Sequence, residues 1–493
     1  MREESERSLS INSRQAVRQH VFHDITRSIC PQCRQVVEAQ VLLRDGAVFL
    51  RKRCPDHGWH EGLVSSDAEW YLDSLRYNKP RAIPYDFSTT VQQGCPQDCG
   101  LCPEHQKHTC IGVIEITSRC NLGCPTCFAD SGMQHPHGSF DLTLSQVEAI
   151  LDRLVETEEH PEVVQISGGE PTIHPQLLDI LAMARERDIR HVMLNTNGLK
   201  LASDPDLARQ LAPYRPLIYL QFDGLRASTH EALRGRDLTE IKAQALERLA
   251  ESGLYALLVP TIVQGINDDE IGDILRYGLA HPAVVGVSYQ PATFAGRCAS
   301  GQDPLHRVTL PDVLHALEEQ TDGLFQVSDF FPVPCPHPSC SACTYAFIDG
   351  DQVTPIPRIL NVDDYLDFIN NRSIPDLSAE LEPVVESLWS MAAAMGSDET
   401  TDGLVCSTCG IEVPGSLDPS HLKEHFFAIQ VHGFMDEHTF DVKRAMKCCV
   451  HQLLPNGRAI PLCVYNNLGY REEVRKMLER ERLLQPQPVE VMP

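Results

Sequence analysis

Three cysteines in the stretch EITSRCNLGCPTCFAD have the type and spacing to act together. Cys120, Cys124 and Cys127 form a C-x3-C-x2-C loop directly after a short apolar run. Three thiolates on so tight a loop can hold three corners of a cubane iron–sulfur cluster. Four cysteines are the usual set for a cluster that only carries electrons, so a trio leaves one iron open to a further ligand. Just upstream, GCPQDCGLCPEHQKHTC gathers Cys95, Cys99, Cys102 and Cys110 within sixteen residues. That spacing suits a complete four-ligand site, and the neighbouring trio favours iron–sulfur over zinc there. His105 and His108 share the run, as ligands, as hydrogen-bonding neighbours of ligands or as solvated loop histidines.

Two more cysteine groups flank these. Cys30-x2-Cys33 and Cys54-x2-His57 sit either side of a hairpin, with the separation of a zinc ribbon or a rubredoxin-like iron site; zinc and mononuclear iron fit the same tetrahedral set. Downstream, Cys335, Cys340 and Cys343 lie in CPHPSCSAC, and the tail offers Cys448, Cys449 and Cys463. A second auxiliary cluster built on Cys335, Cys340, Cys343, Cys449 and Cys463 would tie the tail to the rest of the chain. Cys406 and Cys409 make one more CxxC pair, and Cys298 reads as a buried thiol. Arg297 and Arg458 are either anion ligands or solvated loop arginines.

The elements that must position these groups follow a clear pattern. Residues 112–300 alternate apolar strands (GVIEIT, VVQISG, HVMLNT, LIYLQFDG, ALLVPTIV, VVGVSYQP) with helical segments, which predicts a parallel sheet, as a partial barrel or a doubly wound sheet. The trio then falls at a strand's C-terminal end, where β/α barrels place their chemistry. Residues 1–20 read as a disordered tail and 21–90 as a small module with a hairpin at Asp45-Gly46. Residues 91–111 read as an auxiliary cluster segment, and 301–493 as a cysteine-rich α+β domain. REEVRKMLERERLLQ predicts an amphipathic surface helix. The chain has 493 residues, 19 cysteines and a net charge of −26. That balance excludes nucleic acid as a main partner and disfavours more than transient contact with an anionic membrane. No apolar run reaches membrane-spanning length, and MREESERSLSINSRQ lacks the apolar centre of a secretory signal, so a cytoplasmic protein with reduced thiols is expected.

The trio and the strand ends after it resemble the radical S-adenosylmethionine (SAM) superfamily. Ser167, Gly168, Gly169, Glu170 and Pro171 follow the second strand and resemble that family's GGE motif, which binds the SAM amino group. Asn195 and Asn197 end the third strand, Gln221 and Asp223 the fourth, and Asn267 follows the fifth. The resemblance implies that these ends contact SAM, with Phe128 near the adenine in place of the aromatic residue that many members carry just before the third cysteine. It implies a partial (β/α)6 barrel, a SAM-binding [4Fe-4S] cluster and a low-potential flavodoxin- or ferredoxin-like electron donor. One electron would cleave SAM to methionine and a 5′-deoxyadenosyl radical, which abstracts hydrogen from an unactivated carbon.

The whole pattern, from Cys30 to the tail PNGRAIPLCVYN, resembles the tetraether lipid synthase-like group, also called class D radical SAM methylases. That group is described as having several iron–sulfur clusters and a rubredoxin-like metal site. Two chemistries follow from it. One couples carbons of two lipid tails, and the completeness of the cysteine pattern favours it. The other methylates a pterin carbon from a methylene-folate-type donor. A peptide-modifying maturase is a third reading. A long apolar tunnel would mark the lipid substrate, and a short polar cavity with hydrogen-bonding groups the pterin.

Overall fold

The computed structural model describes residues 19–78, 83–132, 139–158, 161–299, 303–333, 335–358 and 426–484. The tail 1–18, part of the Pro-rich connector after residue 78 and the Cys406–Cys409 pair lie outside the described residues.

The N-terminal module is an antiparallel meander of β1 (Val21–Ile29), β2 (Val36–Arg44), β3 (Ala47–Cys54) and β4 (Gly58–Ser65). Asp45 and Gly46 both take positive φ, 51° and 76°, at the β2–β3 turn. A two-residue hairpin that matches the strand twist requires this backbone, and Asp-Gly tolerates it.

The six expected barrel strands are present. They are β5 (Ile111–Thr117), β6 (Val163–Gly168), β7 (His191–Thr196), β8 (Leu217–Gln221), the pair β9 (Ala256–Val259) and β10 (Thr261–Ile262), and β11 (Val284–Pro291). Pro260, which has no N–H to give the ladder, separates β9 from β10. β5, β6, β7, β8, β9 and β11 pair in parallel in that order, with helices such as Leu144–Glu158 and Thr239–Glu251 in the crossovers.

The C-terminal part continues this sheet. It contributes β12 (Phe331–Pro332), β13 (Ser341–Asp349), β14 (Gln352–Pro355), β15 (Phe426–His432), β16 (Val450–Leu453) and β17 (Ala459–Pro461). β15 pairs parallel with β11, and β16 pairs parallel with β5. Both edges of the six-stranded unit are therefore covered, which satisfies N–H and C=O groups that would otherwise lie open.

Strand alternation gives the sheet two unlike faces. Ile114, Ile116, Val164, Ile166, Leu194, Ile218 and Leu258 pack with the helices in the main core. On the other face, Val163, Met193, Leu217, Leu257 and Val285 form a smaller apolar layer at the strands' N-terminal ends. Two residues further along β6, β7 and β8 that face turns polar, with Gln165, Asn195 and Tyr219, and Ser288 of β11 meets Tyr219 there.

Candidate metal centres and active site

The trio occupies the loop leaving β5, held by its own backbone. Gly169 and Glu170 N–H groups donate to the Thr117 and Arg119 carbonyls at 2.8 and 2.9 Å, so the β6 end carries the loop's start. This approach needs glycine. Gly168 has φ 133°, and a Cβ on it would meet the Thr117 carbonyl oxygen at 2.2 Å. Arg297 clamps the far end, donating to the Cys124 carbonyl (2.9 Å) and the Ser131 carbonyl (3.1 Å) and pairing with Asp130 (2.7 Å). Arg475 donates to the Ala129 carbonyl at 2.8 Å. Arg471 pairs with Glu115 of β5 at 2.6 Å and lies 5.8 Å over the Phe128 ring, which is half exposed. The helix Tyr470–Leu484 is thus more than a surface cap, because its arginines turn inward to the loop.

Cys124 is buried, with Cys120 and Cys127 partly so. Burial pushes the Cys120 thiol up to about 12. Thiols that resist ionisation so strongly on their own give up their protons when a cation binds. Each corner of a cubane cluster takes one sulfur, so the sulfurs need not crowd as around a single ion. Among the described residues they do not form a single-ion set. The trio fits a cluster.

The expected SAM contacts divide into two groups. Asn197 reaches the trio, its Nδ2 3.9 Å from Cys120 Sγ and 2.8 Å from Asn121 Oδ1. Ser167, Asn195 and Gln221 are half-buried on the polar face, with Asn195 Nδ2 donating to Ser167 Oγ at 3.0 Å. Three others are committed to the protein itself. Glu170 is buried beside Pro171, and its carboxylate accepts from Thr172 N, Thr172 Oγ1, Thr196 Oγ1 and Asn197 N at 2.6–3.1 Å. Asn267 is fully buried, donating to the Asp223 and Thr261 carbonyls and accepting from Val263 N. It locks the turn with these three bonds. Asp223 is also sealed and forks onto Arg234 at 2.6 and 2.7 Å. Burial alone would raise its carboxyl, but the guanidinium outweighs that and holds it below the usual range.

The N-terminal set is compact. Cys33 and Cys54 Sγ lie 3.8 Å apart, and His57 Nδ1 is 3.6 Å from Cys30 Sγ and 3.4 Å from Cys54 Sγ. Metal–sulfur bonds of about 2.3 Å at tetrahedral angles separate sulfurs by roughly 3.8 Å. These four donors fit one zinc or iron ion.

The other cysteines regroup relative to their sequence spacing. Cys95, Cys99 and Cys102 line a small cavity with His105 and Met446. Tyr470 OH donates to the Gln97 carbonyl, and the Arg458 guanidinium donates to that of Cys99. Arg458 and Arg297 thus spend their donors on loop carbonyls and read as clamps. Cys110 stands apart from that cavity. Its sulfur lies against that of Cys335, it packs with Cys449, and His108 Nε2 is 3.4 Å from its sulfur. His108, Cys110 and Cys335 thus place three donor atoms within 4.8 Å of one another, a set that could hold a metal, where β5's start and the loop before β13 converge at Cys449. Glu158 accepts from His108 Nδ1 and Thr109 N. Cys340 and Cys463 accept from Arg444 Nε and Met435 N, both at 3.3 Å, and Cys448 lies close enough to feel their charge. Cys343 separates from that group. It points from β13 into an apolar cluster with Phe331, Tyr345 and Ile356, and burial raises its thiol. Period-two alternation accounts for this. Cys340 precedes the strand, whereas Cys343 lies within it on the face turned to that cluster.

Sequence reasoning missed several residues around the site. Arg234 hides at a helix C-terminus eleven residues after Asp223, and Lys242 lies inside an ordinary amphipathic helix. Lys242 is fully buried, donates to the Asn197 carbonyl (2.6 Å) and Gln221 Oε1 (2.8 Å), and is pulled down to about 7 by burial. The polar face carried a readable signal, since Gln165, Tyr219, Gln221, Ser288 and Gln290 interrupt otherwise apolar strands at every second position.

Comparison with known proteins agrees with this layout. The radical SAM superfamily profile matches residues 114–278, and the HMPTM N-terminal zinc ribbon domain matches residues 22–66. Over 483 residues the chain is 33% identical to the 7,8-dihydro-6-hydroxymethylpterin dimethyltransferase of Methanocaldococcus jannaschii, spanning 92% of this chain and 94% of that enzyme. It is 28% identical to the mycofactocin maturase MftC of Mycolicibacterium smegmatis, over 39% of this chain and 47% of that one. Among solved structures, Streptococcus suis SuiB bound to its precursor peptide SuiA aligns with a TM-score of 0.36 and 17% identity, over 44% of this chain and 46% of that one. With trio, ribbon and near full-length likeness together, the chain belongs to the radical SAM superfamily, in the same family as the M. jannaschii enzyme.

Proposed function

We propose that this radical SAM enzyme transfers a one-carbon unit to a carbon of a reduced pterin, using a methylene-folate-type donor. The observation that carries this reading is the polar layer on the sheet face opposite the helices. Tyr219 OH meets Ser288 Oγ at 3.0 Å and accepts from Gln290 Nε2 at 2.9 Å, while Gln165, Asn195 and Ser167 form a second hydrogen-bonded row. Side-chain amides and hydroxyls suit a flat heterocycle with lactam and amino edges, because each can donate and accept in a plane. Lipid coupling, favoured from the cysteine count, has less support. A tail tunnel should stay apolar toward the strand ends, and these rows do not. The full-length relative bears a pterin in its name, and the maturase likeness spans only part of the chain.

The SAM-bound cluster on Cys120, Cys124 and Cys127 would supply the hydrogen-abstracting radical. The chain's own residues would do the rest. Asn197 and the Gly168–Gly169 backbone shape the SAM side, the amide rows orient the substrate, and the Tyr470–Leu484 helix closes over the loop against water. The Cys95 group and the Cys335 and Cys340 groups would hold auxiliary clusters, with electrons from a low-potential flavodoxin- or ferredoxin-like protein. Among the described residues no helix is long and apolar enough to cross a membrane.

The test is anaerobic incubation of the iron-loaded enzyme with SAM, a low-potential reductant, reduced 6-hydroxymethylpterin and a 13C-labelled methylene-folate donor. A pterin enlarged by the label, with 5′-deoxyadenosine formed alongside it, is the expected result. Labelled product absent while lipid or peptide substrates are consumed would overturn the reading.

A further inference from the structure

Arg234 ends the helix Ala227–Arg234, after which Gly235 turns the chain with φ 81°. Its side chain points away from water and is 10% exposed. Two of its nitrogens fork onto Asp223, and one also donates to Thr261 Oγ1 at 3.0 Å. Gly235 packs on the trio's loop, a Cβ there lying 3.7 Å from Pro125 Cδ and 4.0 Å from the Gly123 carbonyl oxygen, and the guanidinium is near enough to Cys124 to act on its charge. The contact is fixed from both sides. Asp223 accepts from Thr261 N at 3.0 Å, and Thr126 Oγ1 donates to the Leu233 carbonyl at 2.9 Å, so the Cys124–Cys127 turn rests on this helix end.

An arginine keeps its charge at every working pH. A fixed ion pair in a water-poor interior acts over a few ångströms with little screening. Here its cation faces the trio and its anion faces the β9–β10 turn. A cluster that gains one electron gains one negative charge, spread over its sulfurs. A positive end held against one of those sulfurs favours the reduced state, and a bare anion in the same place opposes it.

We propose that Arg234, oriented by Asp223, is a positioning residue that raises the reduction potential of the cluster held by Cys120, Cys124 and Cys127. The proposal rests on that loop being the cluster's seat. The step involved is a one-electron reduction, in which the external reductant is oxidised, the cluster is reduced, and no bond forms or breaks.

Two near-isosteric substitutions should move the potential in opposite directions. In D223N the cation loses its counter-charge, and in R234Q the buried anion loses its cation. Iron-loaded full-length protein would be titrated anaerobically with dithionite, following the electron paramagnetic resonance signal that responds to SAM. D223N should raise the reduced-to-oxidised ratio at fixed potential about tenfold, a shift of about 59 mV for one electron. R234Q should lower it by a similar factor. A merely structural role would weaken cluster retention in both variants without opposite shifts. If R234Q fails to hold iron, D223N decides alone, and an unchanged or lowered ratio overturns the proposal. A C124A protein that kept the SAM-responsive signal would show instead that the cluster lies elsewhere, a failure of the seat and not of Arg234.

Discussion

His191 opens β7 with its ring sealed in the sheet and its Nε2 without a hydrogen-bond partner. Burial, with Arg190 and Arg185 nearby, pulls it from an ordinary value of 6.5 to about 3. The unfolded chain therefore takes up a proton between those values that the folded protein refuses. Stability is intact above pH 6.5 and falls as pH drops toward 3. At pH 5 the loss from this one group is about 2 kcal/mol relative to pH 8. Thermal unfolding followed at both pH values should show a smaller gap in His191→Leu than in the parent; an equal gap would mean the ring is hydrated in solution. The trio was legible because three close cysteines after a strand have few other uses. Arg234 and Lys242 were not, since an arginine ending a helix or a lysine within one normally faces water. Only the fold shows their helices turning those residues inward.

The helix Tyr470–Leu484 joins two cysteine-rich loops through its first two turns. Tyr470 holds the Cys95–Cys99 segment, and Arg471 and Arg475 hold the Cys120–Cys127 segment. A chain ending at Leu468 should load less iron and yield several-fold less 5′-deoxyadenosine per protein. Iron counts and product assays on matched anaerobic samples would check this, and full iron content would show that the loops stand unaided. The elements themselves read well from sequence. The six strands and the β2–β3 hairpin follow from apolar runs and Asp-Gly turn chemistry. The pairing of β15 and β16 with the barrel's edges did not, because both lie far along the chain from their partners. Long-range register leaves little local trace.

At the scale of the whole molecule, the N-terminal ribbon docks on the C-terminal segment. Lys52 Nζ donates to the Glu437 carbonyl at 2.5 Å, Arg34 pairs with Glu437 at 2.9 Å, and Thr26 Oγ1 donates to Asp441 at 2.5 Å. The ribbon's four donors converge on one point, so its metal should stiffen this contact as well as the ribbon. Replacing Cys33 and Cys54 by Ser should speed amide hydrogen exchange across residues 434–441 at least several-fold, while exchange in β6 and β7 stays unchanged. Protection equal to the parent would mean that packing alone secures the dock.

The pairing of β16 beside β5, with Val450 opposite Ile111, also sets a schedule. Translation runs at about 5–20 residues per second, so β5 leaves the ribosome ~20–70 s before its outer neighbour exists. For that interval the nascent barrel carries an open edge and a cysteine loop lacking its C-terminal clamps. Such a chain invites chaperone capture and premature oxidation, and its cofactors are best inserted only after synthesis ends.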